Sequence, residues 1–181
     1  RLNDRESGRE FAVAARAVIN ATGPFADGLR RLDHPDAPPV IAPSQGSHIV
    51  LDREFLPGTS AIMVPQTDDG RVMFAIPWHH RVILGTTDVP TAGVPGEPTP
   101  TRAEIDFILD TANRYLTRDA GYSDIRAVFA GIRPLVRAGD GSTAALSRDH
   151  SILIDPLSGL MTVAGGKWTT YRRMAEEVTD A

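Results

Sequence analysis

The sequence predicts an α+β fold: an antiparallel β-sheet carrying one helix, flanked by two segments of a second layer. Three observations predict it. The stretches 47–51, 61–65, 71–77 and 81–84 read as strands and follow one another too closely for the long crossovers that parallel strands need. A capped amphipathic helix comes next, over 101–116. A strand, a Gly-Gly pair and a second helix close the chain over 160–178.

In chain order, Glu6-Ser7-Gly8-Arg9 reads as the turn of a hairpin whose first arm is short, so the chain is expected to be a piece of a larger protein. Ala17-Val18-Ile19-Asn20 is apolar and β-branched and predicts a buried strand, followed by the turn residues Ala21-Thr22-Gly23. Residues 33–44 hold four prolines and predict a crossing linker. Thr67-Asp68-Asp69-Gly70 predicts a hairpin turn, because Asp-Gly tolerates the positive φ it requires. Residues 88–100, with four prolines and two glycines, predict a loop. Thr101 and Glu104 stand at capping-box spacing, and Ile105, Ile108, Leu109, Ala112, Tyr115 and Leu116 fall on one helical face. A long strand interrupted at Gly131 is predicted over 125–135. A hairpin follows over 151–163, then a helix with Tyr171, Met174, Ala175 and Val178 on one face.

Composition narrows the chemistry. Nineteen Lys and Arg against 23 Asp and Glu give a net charge of −4, which offers no general attraction for nucleic acid or an anionic membrane. The absence of cysteine excludes disulfides, thiolate metal sites and thiol nucleophiles. No apolar run approaches the roughly 18–20 residues of a membrane span, so no transmembrane segment is expected. His79-His80 does not read as a metal site, since adjacent strand residues point to opposite faces, and no metal is expected.

Several residues could carry chemistry. Gly165-Gly166-Lys167-Trp168-Thr169-Thr170 joins a strand to a helix. It offers close backbone approach, the positive end of a helix and a lysine charge to an anion, or it is a glycine turn with a threonine cap. Arg133, within Gly131-Ile132-Arg133-Pro134-Leu135, needs a negative partner if buried: a bound anion or a structural carboxylate. Arg148 is a second anion ligand or a surface arginine held by Asp149, and His48 a base or a core histidine. Gly85-Thr86-Thr87-Asp88 ends a strand with two hydroxyls and a carboxylate, which is also an ordinary turn pattern. Ala21-Thr22-Gly23 lets a phosphate or ribose approach, or is a strand-end turn.

Together, VINATGPFAD (18–27), QGSHIVL (45–51), IPWHHRVILGTTD (76–88), AGIRPL (130–135), LSRDHSI (146–152) and GGKWTTYRRMAE (165–176) resemble the respiratory FAD-dependent glycerol-3-phosphate dehydrogenases. These belong to the D-amino-acid-oxidase-like flavoproteins. The resemblance covers nearly the whole chain after Arg16, departing at His150, where bacterial members often carry an aromatic residue. It implies that 33–142 is an antiparallel substrate-binding sheet domain. Residues 1–32 and 143–181 would be the last elements of a Rossmann-like FAD-binding domain whose glycine-rich fingerprint is absent here.

The resemblance also implies roles. Thr22 and Gly23 lie near the FAD diphosphate or ribose, and Gly166, Lys167, Trp168, Thr169 and Thr170 line the flavin. Arg133 and Arg148 bind the substrate phosphate, Thr86 lines the substrate pocket, and His48 is the base; His48, Arg133 and Lys167 form the catalytic group. The implied reaction oxidises glycerol 3-phosphate to dihydroxyacetone phosphate. Electrons pass to the quinone pool, or to oxygen in an oxidase, at a peripheral site on the inner, cytoplasmic face of the membrane. A flavoenzyme acting on an amino or 2-hydroxy acid is the nearest alternative, and a non-catalytic domain the alternative of another class. The piece alone is expected to be inactive and not to retain FAD.

Overall fold

A computed structural model describes residues 1–137 and 149–181. Strands β1 (Leu2–Asn3) and β2 (Glu10–Phe11) form the opening hairpin, with Gly8 of its turn at a φ of +69°. Strand β3 (Ile19–Asn20) follows, then a 3-10 turn over Gly23–Phe25 and helix α1 (Ala26–Asp33). The expectation of a buried strand at 17–20 holds only for Asn20; Val18 and Ile19 are exposed. Asn20 is buried because its side-chain amide works: it donates to the Ala26 carbonyl at 3.0 Å, and its oxygen accepts the Thr22 hydroxyl at 2.7 Å.

The main sheet is built on β4 (Ile41–Asp52), which begins inside the stretch expected to be linker. Asp27 of α1 explains the early start, since its carboxylate accepts the backbone N–H groups of Val40 (2.9 Å) and Ile41 (3.0 Å). Pro43 is tolerated within the strand because it faces Pro134, and two opposed prolines fit a ladder position where neither nitrogen donates across. Strands β5 (Ile62–Val64), β6 (Met73–Trp78) and β7 (Arg81–Gly85) form an antiparallel meander ending against β4. The short β8 (Val89–Pro90) pairs with Ser44 and Gln45. Strand β9 (Ala127–Val136) runs along the other edge of β4, unbroken through Gly131.

Helix α2 (Arg102–Asn113) covers one face of this sheet, and its Thr101–Glu104 capping box forms as the spacing predicts. Ile108, Leu109 and Ala112 bury against Ile49, Leu51, Val82 and Leu84, while Tyr115, expected on the same face, is exposed past the helix end. Burying an aliphatic side chain contributes roughly 1.5–3 kcal/mol, so this layer is the main stabilising unit. Among the described residues no helix covers the opposite face. Met63, Phe74, Gly85, His48 and Phe129 are paired in register across five strands of that face, and Met63, Phe74 and Phe129 are 58%, 39% and 46% exposed.

A smaller sheet combines β10 (His150–Ile154), β11 (Met161–Gly165) and β3, with β11 parallel to β3. Ala26, Ile41 and Ala164, with Val40 and Val136, join it to the end of the large sheet. A 3-10 turn at Trp168–Thr170 leads into α3 (Tyr171–Asp180), where only Val178 is buried; Tyr171 and Ala175, expected on the inner face, are exposed.

Candidate active site

The alternation of β4 separates two sets of residues. Gln45, Ser47, Ile49 and Leu51 face α2; Ser44, Gly46, His48 and Val50 face the open side. Arg133 is paired with Ser44, and Phe129 with His48, so both β9 side chains stand on that same open side.

Two glycines form the floor on which the large groups lie. A Cβ on Gly46 would strike the Arg133 guanidinium, and one on Gly85 would lie 2.9 Å from both Cγ and Nε2 of the His48 ring. Phe129 stacks on that ring from the other side of β4, with centroids 4.8 Å apart and planes 8° from parallel. Burial, together with the Arg133 charge, holds the His48 imidazole below its ordinary value of 6.5, so the ring is neutral at neutral pH.

Arg133 is held by the segment after β7. Its Nη2 donates to the Thr86 hydroxyl at 2.8 Å and its Nη1 to the Thr87 carbonyl at 3.0 Å, with Asp88 Oδ1 at 3.4 Å. Asp88 is buried and accepts the Ser44 hydroxyl. Arg71 approaches the same carboxylate, with Nε 3.9 Å from Oδ2, and donates to the Asp88 backbone carbonyl. Arg71, Phe74, Thr86, Asp88 and Arg133 line a cavity of about 360 Å³, toward the lower end of small-molecule sites.

His48, Thr86 and Arg133 therefore share one region. Lys167 lines a different cavity of about 380 Å³, with Asp149, His150, Thr170, Arg173 and Glu177. There His150 Nε2 lies 2.7 Å from Glu177 Oε2, and Arg173 Nε donates to Oε1 of the same carboxylate at 2.7 Å. Arg148 lies outside the described residues. Gly165 and Gly166 both adopt positive φ (+75° and +78°), and a Cβ on Gly166 would sit 2.6 Å from Met174 Cε. The Thr170 hydroxyl donates to the Lys167 carbonyl at 3.0 Å, and Trp168 projects outward, 88% exposed, stacked on Tyr171. At the other glycine turn Gly23 has a φ of +60° with open space where its Cβ would be, and Thr22 is exposed beside it.

Sequence reasoning missed Gly46, Gly85 and Phe129 as neighbours of Arg133 and His48, and Arg71 altogether. The Ser44-x-Gly46-x-His48 alternation carried a signal for Gly46, since a glycine between two same-face positions of a strand marks a close approach. Nothing local to Arg71 distinguishes it from a surface arginine.

Three comparisons bear on this site. The mitochondrial glycerol-3-phosphate dehydrogenase of Macaca fascicularis is 45% identical over 184 residues, covering 100% of this chain and 25% of that protein. The Caenorhabditis elegans protein named probable glycerol-3-phosphate dehydrogenase, mitochondrial, is also 45% identical, over 99% of this chain and 25% of its own length. The chain thus spans about a quarter of these curated relatives. The X-ray structure of the Bacillus halodurans glycerol-3-phosphate dehydrogenase complexed with FAD superposes with a TM-score of 0.83 at 33% identity, over 98% of this chain and 34% of that one. The family model described as FAD dependent oxidoreductase matches residues 1–172, and the chain belongs to that family.

Proposed function

We propose that this chain forms the substrate-binding sheet and part of the cofactor-binding layer of an FAD-dependent enzyme that oxidises glycerol 3-phosphate to dihydroxyacetone phosphate. One observation carries the reading: a neutral imidazole and a guanidinium lie side by side on glycine floors, on a sheet face that also carries exposed Met63, Phe74 and Phe129. The names of the relatives support the substrate.

The residues present fit the cofactor. Gly23 leaves open space beside the exposed Thr22, and the left-handed pair Gly165-Gly166 brings the backbone of residues 166–170 to the surface. Thr22 and Gly23 would lie toward the diphosphate or ribose, and Gly166, Lys167, Trp168, Thr169 and Thr170 toward the flavin ring. Bound FAD would supply the hydride acceptor for the substrate carbon.

The chain's own groups do the rest. The planar guanidinium of Arg133 matches two phosphate oxygens, and Asp88 with the Thr87 carbonyl holds it in one orientation. Arg148 would add a second cation to the phosphate, and Thr86 would bound the pocket. His48 takes the C2 hydroxyl proton; its neutral ring is the form a base requires. Lys167 would favour negative charge on the reduced cofactor. We read 33–142 as the substrate domain, with 1–32 and 143–181 belonging to the cofactor domain. Electrons would pass to quinone at the inner face of the cytoplasmic membrane, where the enzyme would be peripheral; among the described residues no helix is long and apolar enough to cross a membrane.

The test is a chimera in which this chain replaces the matching segment of the Bacillus halodurans enzyme. We expect anaerobic flavin bleaching by glycerol 3-phosphate, abolished by His48→Asn. A folded, FAD-loaded chimera that responds equally to glycerol or to an amino acid would sink the assignment.

A further inference from the structure

A glutamate at the third position of a helix ordinarily folds back on the capping residue's N–H at the surface. Glu104 does so with one oxygen, yet it is only 4% exposed. Its Oε2 accepts the Thr101 N–H (2.9 Å), the Thr101 hydroxyl (2.9 Å) and the Gln45 amide (2.8 Å). Its Oε1 takes no part in the cap. It accepts the hydroxyls of Ser47 and Thr87, each at 2.7 Å, and the Thr87 hydroxyl in turn accepts the Ser47 N–H at 2.9 Å.

These partners back directly onto the candidate site. Gln45 and Ser47 alternate along β4 with Gly46 and His48, which face the other side. Thr87 offers its carbonyl to Arg133, and Thr86 beside it offers a hydroxyl. A carboxylate buried between α2 and the sheet is costly unless its lone pairs are filled. Burial alone would raise its pKa, but the Thr101 N–H and the Ser47, Thr87 and Thr101 hydroxyls outweigh it and hold the carboxyl below the usual range. A charged group is therefore spent on fixing two backbone segments, more than a helix cap needs.

We propose that Glu104 is a positioning residue: through Ser47 and Thr87 it fixes, from the far face of the sheet, the backbone on which His48 and Arg133 lie. Only its kinetic consequence rests on the function proposed above.

The test follows the His48 imidazole by NMR titration in the 181-residue chain, with melting curves recorded alongside. Glu104→Gln keeps an oxygen for the Thr101 cap but cannot accept at both ends. Thr87→Val removes one hydroxyl without changing shape. We expect both to move the His48 titration up toward 6.5, as Arg133 shifts and water reaches the ring. The double variant should go no further than the larger single change, because both act by one route. Thr101→Ala should lower the melting temperature and leave His48 where it is. In the chimera, Glu104→Gln and Thr87→Val should each lower kcat/KM by about 10- to 100-fold. An unmoved His48 in both variants overturns the proposal, and so does a Thr101→Ala change that moves it as far as Glu104→Gln. If Glu104→Gln does not fold, Thr87→Val decides alone. A chimera without glycerol-3-phosphate activity, in which His48 still responds, overturns the functional reading and supports the positioning role.

Discussion

The Arg133 guanidinium lies across the backbone of Gly46, in the space a Cβ would occupy. Strand β4 thus provides a bare stretch of peptide at the point where a long cation must lie flat to reach Thr86, Thr87 and Asp88. The conflict in Gly46→Ala falls on the far end of a long side chain, which can swing aside. Alanine also lowers the entropy of the unfolded chain. Stability should therefore change by no more than about 1 kcal/mol in urea unfolding. The displaced guanidinium should raise KM for glycerol 3-phosphate in the chimera by about tenfold or more. Unaltered KM would show that Arg133 keeps its place without the glycine, or does not meet the substrate.

Gly85 plays the corresponding part under His48. A methyl there would lie 2.9 Å from ring atoms Cγ and Nε2, and Phe129 stacked on the ring restricts its escape. Gly85→Ala should tilt the imidazole and lower kcat more than it raises KM, since proton transfer depends on the ring's aim. Pre-steady-state flavin reduction in the chimera would read this directly. A kcat within twofold of the parent would remove His48 as the base.

His48 also sets a pH dependence. Its folded pKa lies below 6.5 because of burial and the Arg133 charge. Between that value and 6.5 the unfolded chain binds the extra proton and the folded chain does not, so stability falls as pH falls through this window and levels off below it. Above 6.5 the ring is neutral in both states and costs nothing. Urea midpoints at pH 7.5 and pH 5.5 should therefore differ more for the parent chain than for His48→Asn. Equal differences would show that the ring is not shielded. The acid limb of kcat/KM in the chimera should likewise lie below 6.5, because it reports the base of the free enzyme, whose pKa burial and Arg133 lower.

Local signals in the sequence were legible, and contacts between distant segments were not. The Thr101–Glu104 box and the Thr67–Gly70 turn are settled within four residues, and both form. Helix α1 carries Gly28 and only two leucines, one of them exposed, so no apolar stripe announces it; Asp27 ties it to β4 across thirteen residues instead. The proline count hid the first turn of β4, because prolines break a strand only where a partner needs their N–H. At the site, His48, Thr86 and Arg133 were visible as residue types in suggestive places. Their glycine floors and the Glu104 support depend on cross-strand register, which no short window contains.

The sharpest test of the phosphate role is Arg133→Lys. Lysine keeps the charge that Asp88 faces at 3.4 Å, so the fold should lose little. It loses the planar fork that now reaches the Thr86 hydroxyl and the Thr87 carbonyl at once. A single ammonium can satisfy either the Asp88 side or an incoming phosphate oxygen, but cannot hold the phosphate in one orientation. The substrate carbon would then sit off its productive position, and a displacement of about an ångström costs on the order of 10²-fold. We expect kcat/KM in the chimera to fall at least ~100-fold, with both kcat and KM affected because positioning and binding fail together. Arg133→Gln keeps a planar donor without charge and should bind still more weakly. Near-normal kinetics for Arg133→Lys would make Arg133 a structural partner of Asp88 and transfer the phosphate to another cation.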